Sequence, residues 1–503
     1  MPEGFYRASR ALKMDSRLIP PIDTFGGRLC GNDSVGGFLF YSLPLNVSSR
    51  GLFYFETINK KPFMSLNTFE HGIHPSYNKE LTAGKGIEKA ALPPKVAIPL
   101  QQHIGAPCKP LVKKGDAVTE GQKLGEATTF VTAPVHSSIS GKVKDIERLP
   151  YPGGGKVLSV IIEGDGTERE WGDSRDIGLE LGSCTAEALK NMIREAGIVG
   201  MGGAAFPTHV KISPPKEKRI DAFILNGCEC EPYLTSDHRL MVEEPEKVLW
   251  GMKAIMKAIG VENGYIGIED NKPDAIDALK RAAQGSSIKV AVLETKYPQG
   301  AEKMLIKAIL NRKVPVGKLP MDVGVVVNNV GTAFAVYEAV KYTKPLIERV
   351  VTVSGNGVKE PKNLLVRIGA SFEDVLKQCG GITSDGEREV LNGGPMMGIA
   401  QTTLEVPVIK GTSGITVLAG REIKPAAYQP CIRCASCVEV CPVNLMPYRL
   451  GDLGRLQRLD EFKAWGGLTC IECGSCSYTC PSKRPLVHWI RVGKVKVREK
   501  EKV

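Results

Sequence analysis

Residues 431–442 read CIRCASCVEVCP, and residues 470–481 repeat the same pattern as CIECGSCSYTCP. Each run has the spacing C-x₂-C-x₂-C-x₃-C-P. Three cysteines with two residues between neighbours wrap one turn of backbone around three corners of an Fe₄S₄ cube, and the fourth cysteine reaches the other cube. The two runs therefore predict an α-helical unit at residues 420–482 that is organised around two 4Fe–4S clusters.

The pattern is that of bacterial two-cluster ferredoxins, in which each cluster takes three ligands from one run and one from the other. Cluster 1 is expected to bind Cys431, Cys434, Cys437 and Cys480. Cluster 2 is expected to bind Cys441, Cys470, Cys473 and Cys476. Structural zinc is the alternative, but zinc sites usually combine paired C-x₂-C or Cys/His sets with four ligands per site. Apolar residues at three-residue steps between the runs predict one helix under the clusters: Leu450, Leu453, Leu456, Leu459 and Phe462.

The length and composition are those of a multidomain globular protein. The chain has 503 residues, of which 42% are hydrophobic and 24% charged, and at roughly 100–200 residues per domain it should hold about three to five units. No apolar run approaches the ~20 residues that span a bilayer. The net charge of +11 fits an anionic partner, an anionic cofactor or a membrane surface. The fourteen cysteines, eight of them in the two runs, indicate a reducing compartment.

The N-terminal third divides into three segments. Residues 1–63 lack periodicity and are interpreted as an extension that is disordered or precedes the true start, whereas residues 64–92 are more regular. Residues 93–165 read as short strands separated by Gly and Pro turns, which resembles the lipoyl/biotinyl-type β hammerhead. Residues 133–141, APVHSSISG, stand where carrier domains expose a lysine at a hairpin tip. We therefore expect a scaffold without a swinging arm.

The remaining pattern changes twice more. Residues 183–345 alternate apolar strands with helices, which predicts a parallel α/β domain. Residues 347–415 read as strands with one short helix and resemble a small β-grasp module of the soluble-ligand-binding type. Residues 483–503 are basic and are expected to form a solvated tail.

Four loop segments of the α/β domain carry candidate binding residues. They are GIVGMGGAAFPTHVK at 197–211, NGCECEP at 226–232, YPQGAEKML at 297–305 and NNVGT at 328–332. Glycines in the first segment free the backbone to approach an anion. The other three follow predicted strands, and a parallel α/β sheet binds its ligand at the carboxyl ends of its strands. Asn side chains there offer donors and acceptors to a ring such as a flavin.

These segments resemble the flavin-bearing, NADH-oxidising subunit of respiratory complex I, where a glycine loop cradles the FMN phosphate and the other three segments complete the flavin and NADH pocket. The resemblance implies a catalytic set of Phe206, which would stack on nicotinamide, with Glu231 and Glu302. The residues it implies for FMN binding are Gly200, Gly202, Gly203, Ala204, Lys211, Asn226, Glu229, Gly300, Asn328, Asn329 and Thr332.

Three residues depart from the complex I pattern. Met201, Cys228 and Ala301 stand where that family has Arg, Asp and Glu. Phosphate binding by the backbone survives these changes, whereas the contacts with nicotinamide are altered. An alternative therefore stays open, in which the α/β domain no longer binds flavin and the chain only wires electrons through its clusters.

The whole order of segments resembles the C subunit of the Rnf electron-transport complex, as do FEHGIHPSYNK at 69–79 and NGGPMMG at 392–398. The resemblance covers about residues 64–482. It implies a peripheral subunit on the cytoplasmic face of a membrane complex that exchanges electrons between ferredoxin and NAD and couples this to ion transport. FMN would convert the hydride of NAD(H) into single electrons for the clusters.

The implied partners are the integral and peripheral subunits of that complex and NAD(H), without nucleic acid. A rival enzyme class has a similar layout, the flavin-dependent cobalamin reductases of bacterial microcompartments. The GIHP sequence at 72–75 favours the Rnf interpretation over this rival.

Overall fold

A computed structural model describes residues 66–172, 176–383, 386–423 and 427–501. The predicted N-terminal extension, residues 1–63, lies outside the described residues. A short strand, β1 (Ile87–Lys89), precedes the first domain. No helix in the described ranges combines the length and the apolar character that crossing a membrane requires.

The first domain is built from seven short strands. They are β2 (Lys95–Pro99), β3 (Lys109–Pro110), β4 (Ala117–Val118), β5 (Lys123–Glu126), β6 (Val135–His136), β7 (Gly141–Pro150) and β8 (Lys156–Gly164). An antiparallel sheet of order β2-β8-β7-β4 faces a three-stranded sheet of order β3-β5-β6. Alternate residues of the strands, such as Val96, Ile98 and Ile162, are buried between them.

The turn at residues 133–138 of this domain is buried. The carbonyl oxygen of Pro134 accepts a 2.6 Å hydrogen bond from Lys410 Nζ, which also donates to the carbonyl oxygen of Gly197 at 2.6 Å. Lys410 itself is buried, and its burial lowers its pKa to about 7. Because this tip is held inside the protein by a side chain from a distant segment, it serves as scaffold and not as a carrier arm.

The α/β domain follows. Its helices and strands alternate as α1 (Ala186–Glu195), α2 (Thr208–Lys211), β9 (Ala222–Asn226), α3 (Ser236–Glu243), α4 (Pro245–Ile259), β10 (Gly264–Glu269), α5 (Pro273–Ala282), β11 (Lys289–Leu293), α6 (Glu302–Leu310), β12 (Val325–Asn329) and α7 (Val330–Tyr342). The strand order is β11-β10-β9-β12 and every pair is parallel. This is the parallel sheet that the continuous apolar strands predict, because both of its faces are covered.

A mixed six-stranded sheet comes next in the chain. It is formed by β1 with β13 (Glu348–Ser354), β14 (Lys362–Arg367), β15 (Arg388–Asn392), β16 (Ile399–Ala400) and β17 (Gly414–Ala419), and one helix, α8 (Phe372–Gln378), packs on it. The order is β1-β14-β13-β17-β15-β16. The sheet is therefore larger than the predicted module at 347–415, because β1 joins from the N-terminal segment and β17 continues to Ala419.

The cysteine-rich domain is helical. It contains α9 (Ser436–Glu439), α10 (Pro447–Arg455), α11 (Leu459–Ala464), α12 (Ser475–Tyr478) and α13 (Leu486–Lys500). The prediction of one helix between the two cysteine runs is wrong, because the chain breaks at Gln457, whose φ is +55°. Leu450, Leu453 and Phe462 are buried as expected, whereas Leu456 next to the break is 56% exposed.

The predicted solvated tail is also wrong, because α13 packs against α10. Ile490 and Val497 of this helix are buried. A Cβ at Gly454 would overlap the carbonyl oxygen of Trp489, so the two helices approach closely where α10 has a glycine. Basic residues between the buried positions hid this face from the sequence. Lys494, one of them, is buried and donates from Nζ to the carbonyl oxygen of Cys470 at 2.8 Å.

Candidate functional site

The glycine-rich loop meets the end of strand β12. A Cβ at Gly202 would lie 2.8 Å from Nδ2 of Asn329, so only glycine permits this approach. A Cβ at Gly203 would have no atom within 4 Å. Gly202, Gly203 and Ala204 are exposed, and the described parts of the chain provide no acceptor for their backbone N–H groups. Three free amides in one turn form a site for an anion such as a phosphate.

Hydrogen bonds fix the base of this loop. The N–H of Gly200 donates to the carbonyl oxygen of Phe206 at 2.8 Å. The N–H of Met201 donates to Oγ1 of the buried Thr332 at 3.0 Å, and that hydroxyl lies 3.4 Å from the carbonyl oxygen of Val199. Thr332 therefore positions the loop from inside the protein. The ring of Phe206 is half-buried beside it.

Two neighbouring asparagines at the end of β12 differ in what they bond. Asn329 donates from Nδ2 to Asp237 Oδ2 at 2.6 Å and accepts from the N–H of Gly331 at 2.8 Å, which caps α7. Asn328 is only 3% exposed, and neither its Nδ2 nor its Oδ1 has a partner in the described chain. Leaving a buried amide unpaired costs free energy. Asn328 is thus the asparagine that is free to bond a ligand ring.

Asp237 is a residue that the sequence reasoning missed. Burial, and then the charge of Glu229, raise the pKa of its carboxyl to about 7. Glu229 itself accepts hydrogen bonds from the N–H groups of Asp237 and His238 at 2.8 and 3.0 Å, at the beginning of α3. Glu229 therefore stabilises the end of a helix, and through Asp237 it supports Asn329 beside the glycine loop.

A buried lysine from the N-terminal segment holds the second loop. Lys79 Nζ donates to the carbonyl oxygens of Glu229, Glu231 and Leu234 at 2.7, 2.9 and 2.6 Å. Burial lowers the pKa of this lysine. The sequence showed Lys79 only as part of a family-like start, and nothing along the chain indicated its partners 150 residues away.

The third loop is clamped to the second. Asn226 donates from Nδ2 to the carbonyl oxygen of Gly300 at 2.8 Å, and the N–H of Gly300 lies 3.3 Å from Cys230 Sγ. The neighbouring Gln299 is fully buried, and neither polar atom of its amide has a partner in the described residues. Gln299 lies at the strand-to-helix turn, the position from which an α/β sheet contacts its ligand, and this was the available signal for it.

The three expected catalytic residues do not come together in one cluster. Glu302 forms a 2.6 Å ion pair with Lys211, and both side chains are partly exposed. Glu231 accepts from the N–H groups of Met396 and Met397 at 2.5 and 3.0 Å, and its burial raises its pKa. Its carboxylate therefore holds the turn of the NGGPMMG segment, whereas Phe206 lies on the glycine loop.

The four cysteines expected to bind cluster 1 line one cavity. The cavity measures about 410 Å³, and Cys431, Cys434, Cys437 and Cys480 all form part of its wall. No three His, Cys, Asp or Glu side chains in the described ranges come close enough together to share a single metal ion. Thiols around a space of this size fit a cluster of four irons and four sulfides.

The other four cysteines are neighbours as well. Burial raises the pKa of the Cys476 thiol, and the charges of Cys470, Cys473 and Cys441 raise it further. Two backbone N–H groups point at these sulfurs: Leu445 N lies 3.4 Å from Cys441 Sγ and Glu472 N lies 3.3 Å from Cys470 Sγ. Such donors stabilise thiolates, the form that binds iron.

A tyrosine joins this second set to the loops of the parallel sheet. Tyr297 is 1% exposed and donates from its hydroxyl to the carbonyl oxygen of Cys473 at 2.6 Å. Its backbone pairs with Ile73, and the N–H of Gly72 donates to the carbonyl oxygen of Val440 at 3.2 Å. The second set of cysteines is therefore on the side of the loops, whereas Cys434 of the first set is exposed.

Four family descriptions match the chain in order. They are the RnfC barrel sandwich hybrid domain at residues 67–167, the Nuo51 FMN-binding domain at 193–338, the SLBB domain at 350–400 and the 4Fe–4S dicluster domain at 430–484.

The chain is also similar over most of its length to characterised proteins. It is 49% identical to the C subunit of the proton-translocating ferredoxin:NAD(+) oxidoreductase complex of Clostridium ljungdahlii, over 87% of this chain and 96% of the relative. It is 49% identical to the C subunit of the Na(+)-translocating complex of Acetobacterium woodii, over 85% and 96%. Identity to the C subunit of the ion-translocating oxidoreductase complex of Rhodobacter capsulatus is 42%, over 86% and 83%.

Among solved structures, an NAD⁺-reducing [NiFe]-hydrogenase in the air-oxidized state aligns with a TM-score of 0.43 and 22% identity, over 56% of this chain and 54% of that chain.

Proposed function

The chain belongs to the RnfC family, the C subunits of the ion-translocating ferredoxin:NAD(+) oxidoreductase complexes, and we propose from this premise how its residues pass electrons between NAD(H) and the ferredoxin side. It is an electron-transfer subunit with an FMN-binding domain and a domain for two 4Fe–4S clusters. Its partners are the other subunits of the complex and NAD(H).

The observation that carries the residue-level proposal is the contact between Tyr297 and Cys473. It connects the loop after β11, in the FMN-binding domain, to a ligand of cluster 2. Electrons that enter at the flavin would therefore reach cluster 2 first and cluster 1 second. Cluster 1 takes Cys431, Cys434, Cys437 and Cys480 in this proposal. Cluster 2 takes Cys441, Cys470, Cys473 and Cys476.

The residues at the glycine loop fit FMN. Bound FMN would convert the two electrons of a hydride into single electrons. The free N–H groups of Gly202, Gly203 and Ala204 would bind its phosphate, and Lys211 would add a positive charge while keeping its ion pair with Glu302. The unpaired amide of Asn328 would bond the ring. The departures at Met201, Cys228 and Ala301 leave these groups in place.

Other residues implied by the resemblance would act by positioning. Gly200, Thr332 and Asn329 hold the loop at the end of β12. Asn226, Glu229 and Gly300 hold the neighbouring turns. Phe206 would stack on nicotinamide, and Glu231 would act through the turn at Met396 and Met397 instead of by direct contact.

Ion translocation takes place in a membrane, and we propose that this protein attaches to the complex peripherally on the cytoplasmic side. The supporting observation is the reduced state that eight cluster-binding cysteines require. Accessibility of an exposed cysteine to an impermeant maleimide in oriented membrane vesicles would test the side.

The test of the function begins with cofactor content. Protein purified without oxygen should contain about eight iron and eight sulfide per chain, as two 4Fe–4S clusters require, together with one FMN released by acid. NADH should bleach the visible absorbance of both flavin and clusters. A preparation that stays colourless after reconstitution with iron, sulfide and FMN would contradict the proposal.

A further inference from the structure

The cavity expected to hold cluster 1 opens between basic and apolar side chains. Of the fourteen residues that line it, three are arginines and none is a carboxylate. Ile432 and Trp465 at the same cavity are 68% and 46% exposed. We call this set the cluster-1 rim; it consists of Ile432, Arg433, Arg449, Trp465 and Arg484.

The charges of the rim are not equally compensated. Arg484 forms an ion pair with Asp452, and Arg449 lies 3.8 Å from Glu461. Arg433 is exposed, and no carboxylate in the described ranges lies within ion-pair distance of it. Glu439, on α9, adds one negative charge near Cys434. The rim therefore keeps a positive excess at its most exposed point.

The surrounding domain reinforces this excess. Residues 427–501 contain twelve Lys and Arg against seven Asp and Glu, a net charge of +5 within a whole-chain net charge of +11. Nearly half of the positive excess thus lies in about a seventh of the chain. A field of this sign steers anionic surfaces towards the exposed side of the domain.

Compensation of the cluster's own negative charge does not explain Arg433. A cation with that task would be buried, as Lys494 is on the cluster-2 side, where its Nζ donates to the carbonyl oxygen of Cys470. Water screens an exposed guanidinium and weakens its effect on a cluster. An exposed cation beside an exposed isoleucine and tryptophan has instead the composition of a protein-binding surface.

We propose that the cluster-1 rim is the docking surface for an acidic iron–sulfur protein of the ferredoxin type. The inference rests on the proposed function and extends it by assigning the surface and the chemistry of the partner. Carboxylates of the partner pair with Arg433 and its neighbours, while Ile432 and Trp465 exclude water from the centre of the contact. The exchange moves one electron, so one cluster is oxidised as the other is reduced, with no bond or proton transferred.

The experiment measures binding of full-length chain, purified without oxygen with its clusters and FMN, to an acidic bacterial two-cluster ferredoxin on a biolayer sensor. Arg433→Glu should weaken binding by about tenfold at low salt, and by less at high salt because ions screen the lost attraction. Ile432→Ser should weaken binding at both salt concentrations, and it serves as the second variant because Arg433 has a positive φ.

The matched control is Lys318→Glu. Lys318 is exposed on the loop between α6 and β12, at the amino edge of the parallel sheet and away from the Tyr297 loop. It makes the same reversal of charge on the whole protein, and binding should stay within about twofold of wild type. An equal loss in Lys318→Glu and Arg433→Glu would assign the effect to net charge and overturn the proposal.

Two further readouts separate the possible failures. If NADH bleaches the clusters but ferredoxin binding ignores Arg433 and Ile432, the docking proposal is wrong and the proposed function stands. If the wild-type chain holds no clusters, both are wrong. Self-association of the chain that Arg433→Glu abolishes would assign the rim to contact between copies and would also overturn the proposal.

Discussion

The hydroxyl of Tyr297 lies 2.6 Å from the backbone carbonyl oxygen of Cys473, so a side chain of the flavin-binding domain bonds directly to the peptide of a cluster ligand. Both residues are buried. This bond is the shortest covalent and hydrogen-bonded connection that the described residues offer between the loop after β11 and the cluster-2 cysteines.

Removal of this hydroxyl should therefore affect both stability and electron transfer. We expect Tyr297→Phe to lower the free energy of unfolding by about 1–3 kcal/mol, because a buried carbonyl oxygen loses its donor. Cluster bleaching after mixing with NADH should slow down in stopped-flow absorbance. Tyr265→Phe, on the partly exposed face of β10, is the control, and equal rates in both variants would contradict the role of Tyr297.

The two asparagines of β12 should separate binding from folding. Asn328→Leu removes a buried amide that has no partner in the described chain, so the stability of the FMN-free chain should be unchanged or higher. FMN affinity, measured by fluorescence quenching, should fall by about tenfold because the ring loses a hydrogen bond worth roughly 1.4 kcal/mol.

Asn329→Leu is the matched variant, since it removes the cap of α7 and the bond to Asp237. It should lower the free energy of unfolding by about 1–2 kcal/mol. If Asn328→Leu destabilised the FMN-free chain more than Asn329→Leu did, the assignment of the free amide to a ligand would be wrong.

Glu231 should act through the turn it holds. In Glu231→Ala the N–H groups of Met396 and Met397 lose their acceptor, and we expect NADH oxidation to fall while iron content stays constant. Glu231→Gln keeps an acceptor oxygen and should retain most of the activity. A Glu231→Ala rate equal to that of wild type would rule this role out.

Asp237 should make stability depend on pH near neutrality. The pKa of its carboxyl is raised to about 7 in the folded chain. A group whose pKa is raised on folding stabilises the fold at low pH, and that contribution is lost as the pH rises through the folded value. Wild type should therefore lose stability between about pH 6 and pH 8 relative to Asp237→Asn.

Denaturant unfolding of both proteins at the two pH values, followed by tryptophan fluorescence, measures this difference. The same change in stability with pH in wild type and Asp237→Asn would show that another group titrates in this range.

The contact between α10 and α13 should be essential for the cysteine-rich domain. Gly454→Ala places a methyl group against the carbonyl oxygen of Trp489, and backbone overlap of this kind should cost about 3 kcal/mol. Gly451→Ala meets only the flexible side chain of Leu486, 3.0 Å away, and should cost less. Thermal loss of the cluster absorbance compares the two, and equal stability would mean that the helices separate easily.

The features predicted best from the sequence were those with local causes. The spacing of the two cysteine runs identified the residues that line the cluster-1 cavity, and continuous apolar runs identified the parallel strands. The helix between the runs was mispredicted because a single left-handed residue, Gln457, interrupts a regular leucine pattern. The α13 helix was missed because basic residues fill the positions between its buried ones.

The positions that decide the site geometry depend on contacts between distant segments. Lys79 reaches carbonyl groups about 150 residues away, and no local pattern indicates such a partner. Asn328 and Asn329 are neighbours of the same type, and only the fold distinguishes the one that is occupied from the one that is free. Tyr297 carried no signal because its partner is a backbone oxygen, which every residue has.

The pairing of β1 with β14 has a consequence for synthesis of the protein. Ile87 pairs with Asn363, and Lys85 Nζ bonds the carbonyl oxygen of Pro361, 276 residues later. A ribosome that adds about 5–20 residues per second leaves the first strand waiting for its neighbour for at least ten seconds. During that interval the nascent chain exposes an unpaired edge, so chaperones that shield early segments should raise the yield of correctly assembled protein.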